Sequence, residues 1–187
     1  MNLIAFTGAA GSGKDTAAAV LIAEEGYEKL SFAGTLKDAV AAIFGWPREM
    51  LEGATPASRE WRERPDEWWS DALERNITPR KMLQEWGTDV GRNSFHPDIW
   101  ILSVQRQILA NPHKKYVITD CRFENEARVL KALGVRLICI QRASEWGGEE
   151  SLHSSEAGLP VELIDTVIDN NGTLEEFSNK IKTVIRL

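Results

Sequence analysis

Short apolar runs of strand length alternate along this chain with stretches whose apolar residues recur at helical spacing. Met1 to Thr7 is the first such run, and it ends at a glycine-rich loop, as a buried parallel strand does. Lys14 to Glu25 follows with Ala17, Ala18, Val20, Leu21 and Ile22 on one side and Gly26 as a natural stop. A second short strand over Tyr27 to Phe32 leads into Leu36, Ala39, Val40, Ile43 and Phe44, a helical stripe closed by Gly45 and Pro47. Thr78-Pro79 is a helix start, with Thr as cap and Pro at the first helical position, and Met82, Leu83, Trp86 and Val90 follow on one side. Another helix is expected from about Asp98 to Leu109, a strand from Tyr116 to Thr119, a helix from Asn125 to Leu133, and a strand from Val135 to Gln141. Val161 to Ile168 is apolar again, and Thr173 to Leu187 opens with a Thr cap and closes amphipathically. This alternation predicts an α/β fold, a central parallel sheet joined by right-handed crossovers with helices on both faces.

The alternation breaks between Pro47 and Arg75, where Arg59, Arg62, Arg64 and Arg75 mix with acids and with Trp46, Trp61, Trp68 and Trp69. That stretch reads as an inserted arm. The length, 187 residues, fits a single domain. Lys and Arg total 22 against 28 Asp and Glu, a net charge of −6, which argues against binding nucleic acid through bulk charge. No run approaches the length of a membrane span and the start carries no signal-peptide pattern, so a cytoplasmic protein without a membrane partner is expected. Cys121 and Cys139 sit inside apolar runs without metal spacing and read as core thiols.

In such sheets ligands bind at the carboxyl ends of the strands. Thr7, Phe32, Thr119 and Gln141 are the candidate ends, each followed by polar or glycine-rich sequence. After the first comes Gly8-Ala9-Ala10-Gly11-Ser12-Gly13-Lys14, a GxxxxGK phosphate-binding loop in its required setting between strand and helix. Its glycines let backbone N–H groups turn inward, the helix start adds a favourable dipole, and Lys14 supplies a charge for the β- and γ-phosphates. The Ser or Thr that usually follows the lysine and binds Mg²⁺ is here Asp15, with Thr16 next. That favours phosphoryl transfer between small molecules over a switch GTPase or motor. Asp15 either faces Mg²⁺ through water or serves as a favourable acid in the first helical turn.

Asp120 leaves the strand Tyr116–Thr119 at the ligand edge, where a carboxylate holds Mg²⁺ or its water, or takes a proton. Arg122 can clamp a phosphate through two parallel hydrogen bonds. Arg142 follows the strand ending at Gln141, and Gly147-Gly148 offers a hinge for a short lid over 142–160. Lys37, Arg80 and Arg92 are candidates for an acceptor phosphate, and Gln84, Trp86 and Trp100 for a wall against a base. Asp169-Asn170-Asn171-Gly172 either seats an adenine or forms an ordinary turn.

Taken together, GAAGSGKDT, LSFAGTLKDAVAAIFG from Leu30, TPRKMLQEWGTDVGRNSFHPDIW from Thr78, ITDCRFENEA from Ile118, and HSSEAGL with VIDNNGTLEEF near the end resemble the phage-type deoxynucleoside monophosphate kinases of the P-loop kinase superfamily. The resemblance implies a P-loop NTPase three-layer αβα sandwich, nucleoside monophosphate kinase-like, with a substrate-binding arm over 33–100 and a short lid. It implies transfer of the γ-phosphoryl of ATP, with Mg²⁺, to a deoxynucleoside 5′-monophosphate, giving the diphosphate for dNTP supply, often by a homodimer. Gly11, Ser12, Gly13, Lys14, Asp15 and Thr16 would then bind ATP phosphates, with Asp15 and Asp120 toward the metal and Asn170, Asn171 and Gly172 at the adenine. Lys37, Arg80, Gln84, Gly87, Thr88, Arg92, Trp100 and Arg122 would line the acceptor site, and Lys14, Asp120, Arg122 and Arg142 would carry catalysis. Two other readings stay open on the residues alone: another small-molecule P-loop kinase of the dephospho-coenzyme A or phosphomevalonate type, and a regulatory module that senses ATP and signals to a partner.

Overall fold

The computed structural model describes residues 3–143 and 159–186. The chain divides into two compact units, Met1–Ser31 with Val104–Leu187, and Phe32–Ser103.

The first unit is built on five parallel strands: β1 (Leu3–Thr7), β2 (Glu28–Leu30), β3 (Tyr116–Ile118), β4 (Arg136–Gln141) and β5 (Thr166–Asp169). Their order is β2-β3-β1-β4-β5, with Ile4 opposite Val117 on one side and Arg136 on the other. Helix α1 (Lys14–Glu25) leads from β1 toward the β2 edge, while α7 (Glu124–Ala132) leads from β3 the other way to β4. Right-handed crossovers in opposite directions put these helices on opposite faces. α8 (Leu174–Arg186) packs on α1 and so shares its face.

Side chains alternate across the sheet, and the apolar sequence fills both faces. Ile4, Phe6, Val117, Ile138, Ile140 and Ile168 meet Ala17, Ala18 and Leu21 of α1 and Phe177 and Ile181 of α8 in one cluster. Ala5, Tyr116, Ile118, Leu137 and Cys139 are buried on the other side. Placing β1 between β3 and β4 sets its carboxyl end, and the loop that follows, at the centre of the ligand edge.

The second unit is helical among its described residues: α2 (Phe32–Phe44), α3 (Pro56–Glu63), α4 (Glu67–Ala72), α5 (Pro79–Gln84) and the start of α6 (Ile99–Ala110). Its core is Leu36, Val40, Phe44, Trp46, Leu51, Ile77 and Met82, with Trp61, Trp69, Trp86 and Trp100 packed against it. Trp46 stacks on Phe44 at 4.4 Å between ring centres, and both polar handles are satisfied: Trp46 Nε1 donates to Asp66 at 2.7 Å and Trp69 Nε1 to the Phe44 carbonyl at 2.9 Å. Most tryptophans of the Arg/Trp-rich stretch are thus core residues of this unit; Trp68 alone of that group is 67% exposed.

The helix expected from Pro79 through Val90 does not run regularly. After Gln84 the backbone widens into a π-helical stretch, Glu85–Phe95, of a length rarely seen. Gly87 and Gly91 are buried in it, and a Cβ on Gly91 would come within 2.6 Å of the Trp100 ring. The wider turns also rotate Val90 off the stripe begun by Met82, leaving Val90 45% exposed.

Candidate active site

The loop after β1 has the geometry of an anion cradle. Gly8, Gly11 and Gly13 all take positive φ, at 134°, 76° and 110°. Gly8 is also irreplaceable on space, since a Cβ there would run into the Ile140 carbonyl oxygen of the neighbouring strand. Lys14 bends back over the loop and donates to the carbonyls of Gly8 at 2.7 Å and Ala9 at 2.6 Å, holding its ammonium over the curl. Ser12 is 2% exposed and its hydroxyl has no protein partner, so the loop carries a buried donor ready for an anion.

Asp15 accepts from Lys29 of β2 at 2.8 Å and from the Thr119 hydroxyl at 3.2 Å, both on one carboxylate oxygen. Burial would raise its pKa, but Lys29, Thr119 and the charge of Lys14 outweigh that and hold the carboxyl below its usual value. Asp120, the next residue after Thr119, accepts from the Ser31 hydroxyl at 2.7 Å. Thr119 therefore brings both carboxylates to the same part of the strand edge. Thr16, in the first turn of α1, is exposed.

Arg122 is exposed, but its backbone is not loose. Glu126, 2% exposed, accepts from the N–H of Arg122 at 2.9 Å and of Phe123 at 3.1 Å with the same oxygen. Sequence reasoning did not single out Glu126. The signal for it was a Glu three residues into a helix start, obscured because the cap position is Phe123 rather than Ser or Thr. Cys121 is buried between these groups, and burial together with the charges of Glu126 and Asp120 pushes its thiol far up, so it is an inert packing residue.

Arg142 follows β4 and is exposed. The hinge Gly147-Gly148 and most of the 142–160 stretch lie outside the described residues. The turn after β5 is internally tied: Asn171 accepts from the Ala143 N–H at 2.6 Å and donates to Asp169, while Asn170 donates to the Ser12 carbonyl at 2.8 Å. Gly172 packs on Glu176, which caps α8 by accepting from the Thr173 N–H at 2.8 Å.

In the second unit, Lys37 pairs with Glu52 at 2.6 Å, and Arg48 grips Glu52 and Asp38, both at 2.5 Å. Burial would raise the Glu52 carboxyl, yet Lys37 and Arg48 keep it below its ordinary pKa. Arg80 pairs with Glu63 at 3.2 Å. Trp100 donates its indole N–H to the Gly87 carbonyl at 2.9 Å, and Trp86 meets Phe44 edge-on at 6.2 Å, so both rings serve the core, whereas Gln84 and Thr88 are exposed and Arg92 is half-buried. Among the described residues no group of three or more His, Cys, Asp or Glu gathers as a metal site, and no helix is long and apolar enough to cross a membrane.

A five-stranded parallel sheet in this order, with a GxxxxGK cradle between its central strand and the first helix, defines a P-loop phosphate-binding protein of the kinase type. Comparison with known proteins narrows the class. A family model described as deoxynucleotide monophosphate kinase matches residues 66–181. A protein of Acanthamoeba polyphaga mimivirus described as a deoxynucleotide monophosphate kinase is 38% identical over 193 residues, covering 97% of this chain and 94% of its own. The deoxynucleotide monophosphate kinase of Escherichia phage RB69 is 36% identical over 112 residues, 57% of this chain and 44% of that protein, less than half its length. Among solved structures, an unliganded sugar kinase from Janibacter sp. HTCC2649 superposes with a TM-score of 0.49 at 16% identity, over 98% of this chain and 93% of that one. The chain belongs to the deoxynucleotide monophosphate kinase family.

Proposed function

We propose that this protein transfers the γ-phosphoryl group of ATP to a deoxynucleoside 5′-monophosphate, releasing ADP and the deoxynucleoside diphosphate. The observation that carries the reading is the cradle: three positive-φ glycines, a buried unpartnered Ser12 hydroxyl and the Lys14 ammonium over the curl, in a chain of this family. On nucleotide binding the Lys14 ammonium exchanges the Gly8 and Ala9 carbonyls for phosphate oxygens. Arg122 and Arg142 supply further positive charge to the transferring group, the first on a backbone fixed by Glu126. A phosphate monoester is already ionised at neutral pH, so the acceptor oxygen needs no general base, and Asp120 is a metal-side residue rather than a base.

The donor set suits Mg²⁺, which takes one or two carboxylates and completes its shell with phosphate oxygens and water. Asp120 and Asp15 would hold it, Asp15 through its oxygen away from Lys29 and Thr119. Bound there, the ion supplies charge neutralisation on the phosphate oxygens. Lys37, Arg80 and Arg92 of the second unit receive the acceptor phosphate, and Gln84, Gly87, Thr88 and Trp100 shape the acceptor site around it, Gly87 and Trp100 through the bond that joins them. Asn171 and Gly172 border the adenine.

The test is ADP release from Mg-ATP with each deoxynucleoside and ribonucleoside monophosphate supplied singly. Turnover that appears only with a deoxynucleoside monophosphate is the expected result and reads the base preference directly. Equal ATP hydrolysis with and without acceptor, or silence with every nucleotide, overturns the reading in favour of a regulatory module or a different small-molecule acceptor.

A further inference from the structure

Asn170 stands at the junction of two parts of the first unit. Its backbone N–H donates to the Gln141 carbonyl at 2.8 Å, adding a last rung to the β4–β5 ladder. Its side-chain amide crosses to the phosphate loop, where Nδ2 donates to the Ser12 carbonyl at 2.8 Å, a bond between residues 158 positions apart. Gly13 lies against the same amide: a Cβ on Gly13 would occupy the place of the Asn170 side chain, and its φ of 110° is one that side chains rarely adopt.

The consequence follows from peptide planarity. In a trans peptide the C=O and the following N–H point in opposite directions and rotate as one plate. Holding the Ser12 carbonyl toward Asn170 therefore aims the Gly13 N–H to the side away from Asn170. N–H groups in such a loop are its anion ligands, and their value to a phosphate depends on being oriented beforehand. The same bond makes the turn after β5 and the phosphate loop one connected element, since Asn171 in turn fixes the residue two positions past β4.

We propose that Asn170 is a positioning residue for the phosphate cradle, locking the Ser12–Gly13 peptide so that the Gly13 N–H faces the bound phosphates, rather than a residue that recognises the adenine. This rests on the cradle binding ATP, and it assigns the Asn170 donor away from the base-seating role that its place in the chain suggests.

The experiment compares wild type with Asn170→Ala and with the near-isosteric Asn170→Asp, which cannot donate from its carboxylate. Binding of inorganic tripolyphosphate, of ATP and of adenosine is measured by calorimetry. Loss of one oriented hydrogen bond is expected to weaken tripolyphosphate and ATP by the same factor, about five- to tenfold, with adenosine unchanged. ATP weakened while tripolyphosphate is not makes Asn170 a base contact and overturns the proposal, as does no change for either. Amide exchange in the ligand-free protein gives an independent reading: protection of the Ser12 N–H, which donates to the Ala9 carbonyl at 3.2 Å, falls in both variants while that of β1, β4 and α1 holds. Unchanged protection overturns the clamp even if wild type binds neither phosphate probe, an outcome that would also remove the proposed kinase function.

Discussion

The two units use their polar side chains differently. In the first, several polar groups of the site are bonded to backbone, Lys14 to two carbonyls, Asn170 to a third and Glu126 to two N–H groups, while Asp15 is paired with Lys29. In the second, two of the three cations proposed for the acceptor are answered by carboxylates, Lys37 by Glu52, which Arg48 also holds, and Arg80 by Glu63. A backbone dipole holds a side chain in place without cancelling its charge, whereas a carboxylate neutralises it. The loop of the first unit is therefore pre-organised for a polyanion, and an acceptor phosphate received, as proposed, by Lys37 or Arg80 displaces an existing partner. That difference suits an enzyme whose donor site is generic and whose acceptor site has to discriminate.

Removing the charge at the centre of the cradle has the largest expected effect. Lys14→Ala should cut turnover by at least about a hundredfold while leaving the circular-dichroism spectrum unchanged. Near-normal turnover would take Lys14 out of the mechanism. Gly8→Ala attacks the same loop through its backbone, combining a strained φ with a collision against Ile140, and should destabilise the fold by about 3 kcal/mol in urea unfolding. Glu126→Ala leaves two N–H groups without their buried acceptor and should cost about 2 kcal/mol, with Glu126→Gln recovering most of it. An alanine variant as stable as wild type would show that the Arg122 backbone is held by something else.

The contrast between the units also governs what could be read from the sequence. The first unit was readable because its signals are local: strand-length apolar runs, a loop with fixed glycine spacing, and helices opening where the loop ends. The boundaries of β1, α1, β3 and β4 fall within a few residues of those expected. What was not readable there depends on distant pairing, such as Asn170 with Ser12, or on a cap whose first residue is Phe123. The second unit was hardest where its core is made of tryptophans scattered among acids and arginines on helices as short as the six residues of α4. Such helices show no clear apolar period, so the stretch holding Trp61 and Trp69 read only as an inserted arm, with no signal that these tryptophans and Trp46 pack an interior. The widened stretch Glu85–Phe95 was hidden for another reason: Gly87 against Leu36 and Gly91 under the Trp100 ring signal close packing only once Leu36 and Trp100 are known to lie there.

The smallest expected effect is also the most diagnostic of how the second unit works. Glu52 joins Lys37 to Arg48 through both of its oxygens, so Glu52→Gln takes the carboxylate from Lys37 and leaves Arg48 only the carboxylate of Asp38, without removing bulk. If the acceptor phosphate competes with Glu52 for Lys37, KM for the monophosphate should fall severalfold, with KM for ATP unchanged. The pairs are partly exposed, so the wild-type advantage in stability should be small and should shrink as salt rises. The pH dependence has a definite sign. Because the folded protein holds the Glu52 carboxyl below its ordinary pKa, the unfolded chain takes up the proton first as pH drops. The contribution of Glu52 to stability is thus complete above the ordinary carboxylate pKa of about 4 and fades as the pH falls through the lower folded value. Melting temperatures of wild type and Glu52→Gln should accordingly differ at neutral pH and converge in acid. An unchanged acceptor KM would mean that the ion pair is a structural brace, and that acceptor recognition rests on Arg80 and Arg92 without Lys37.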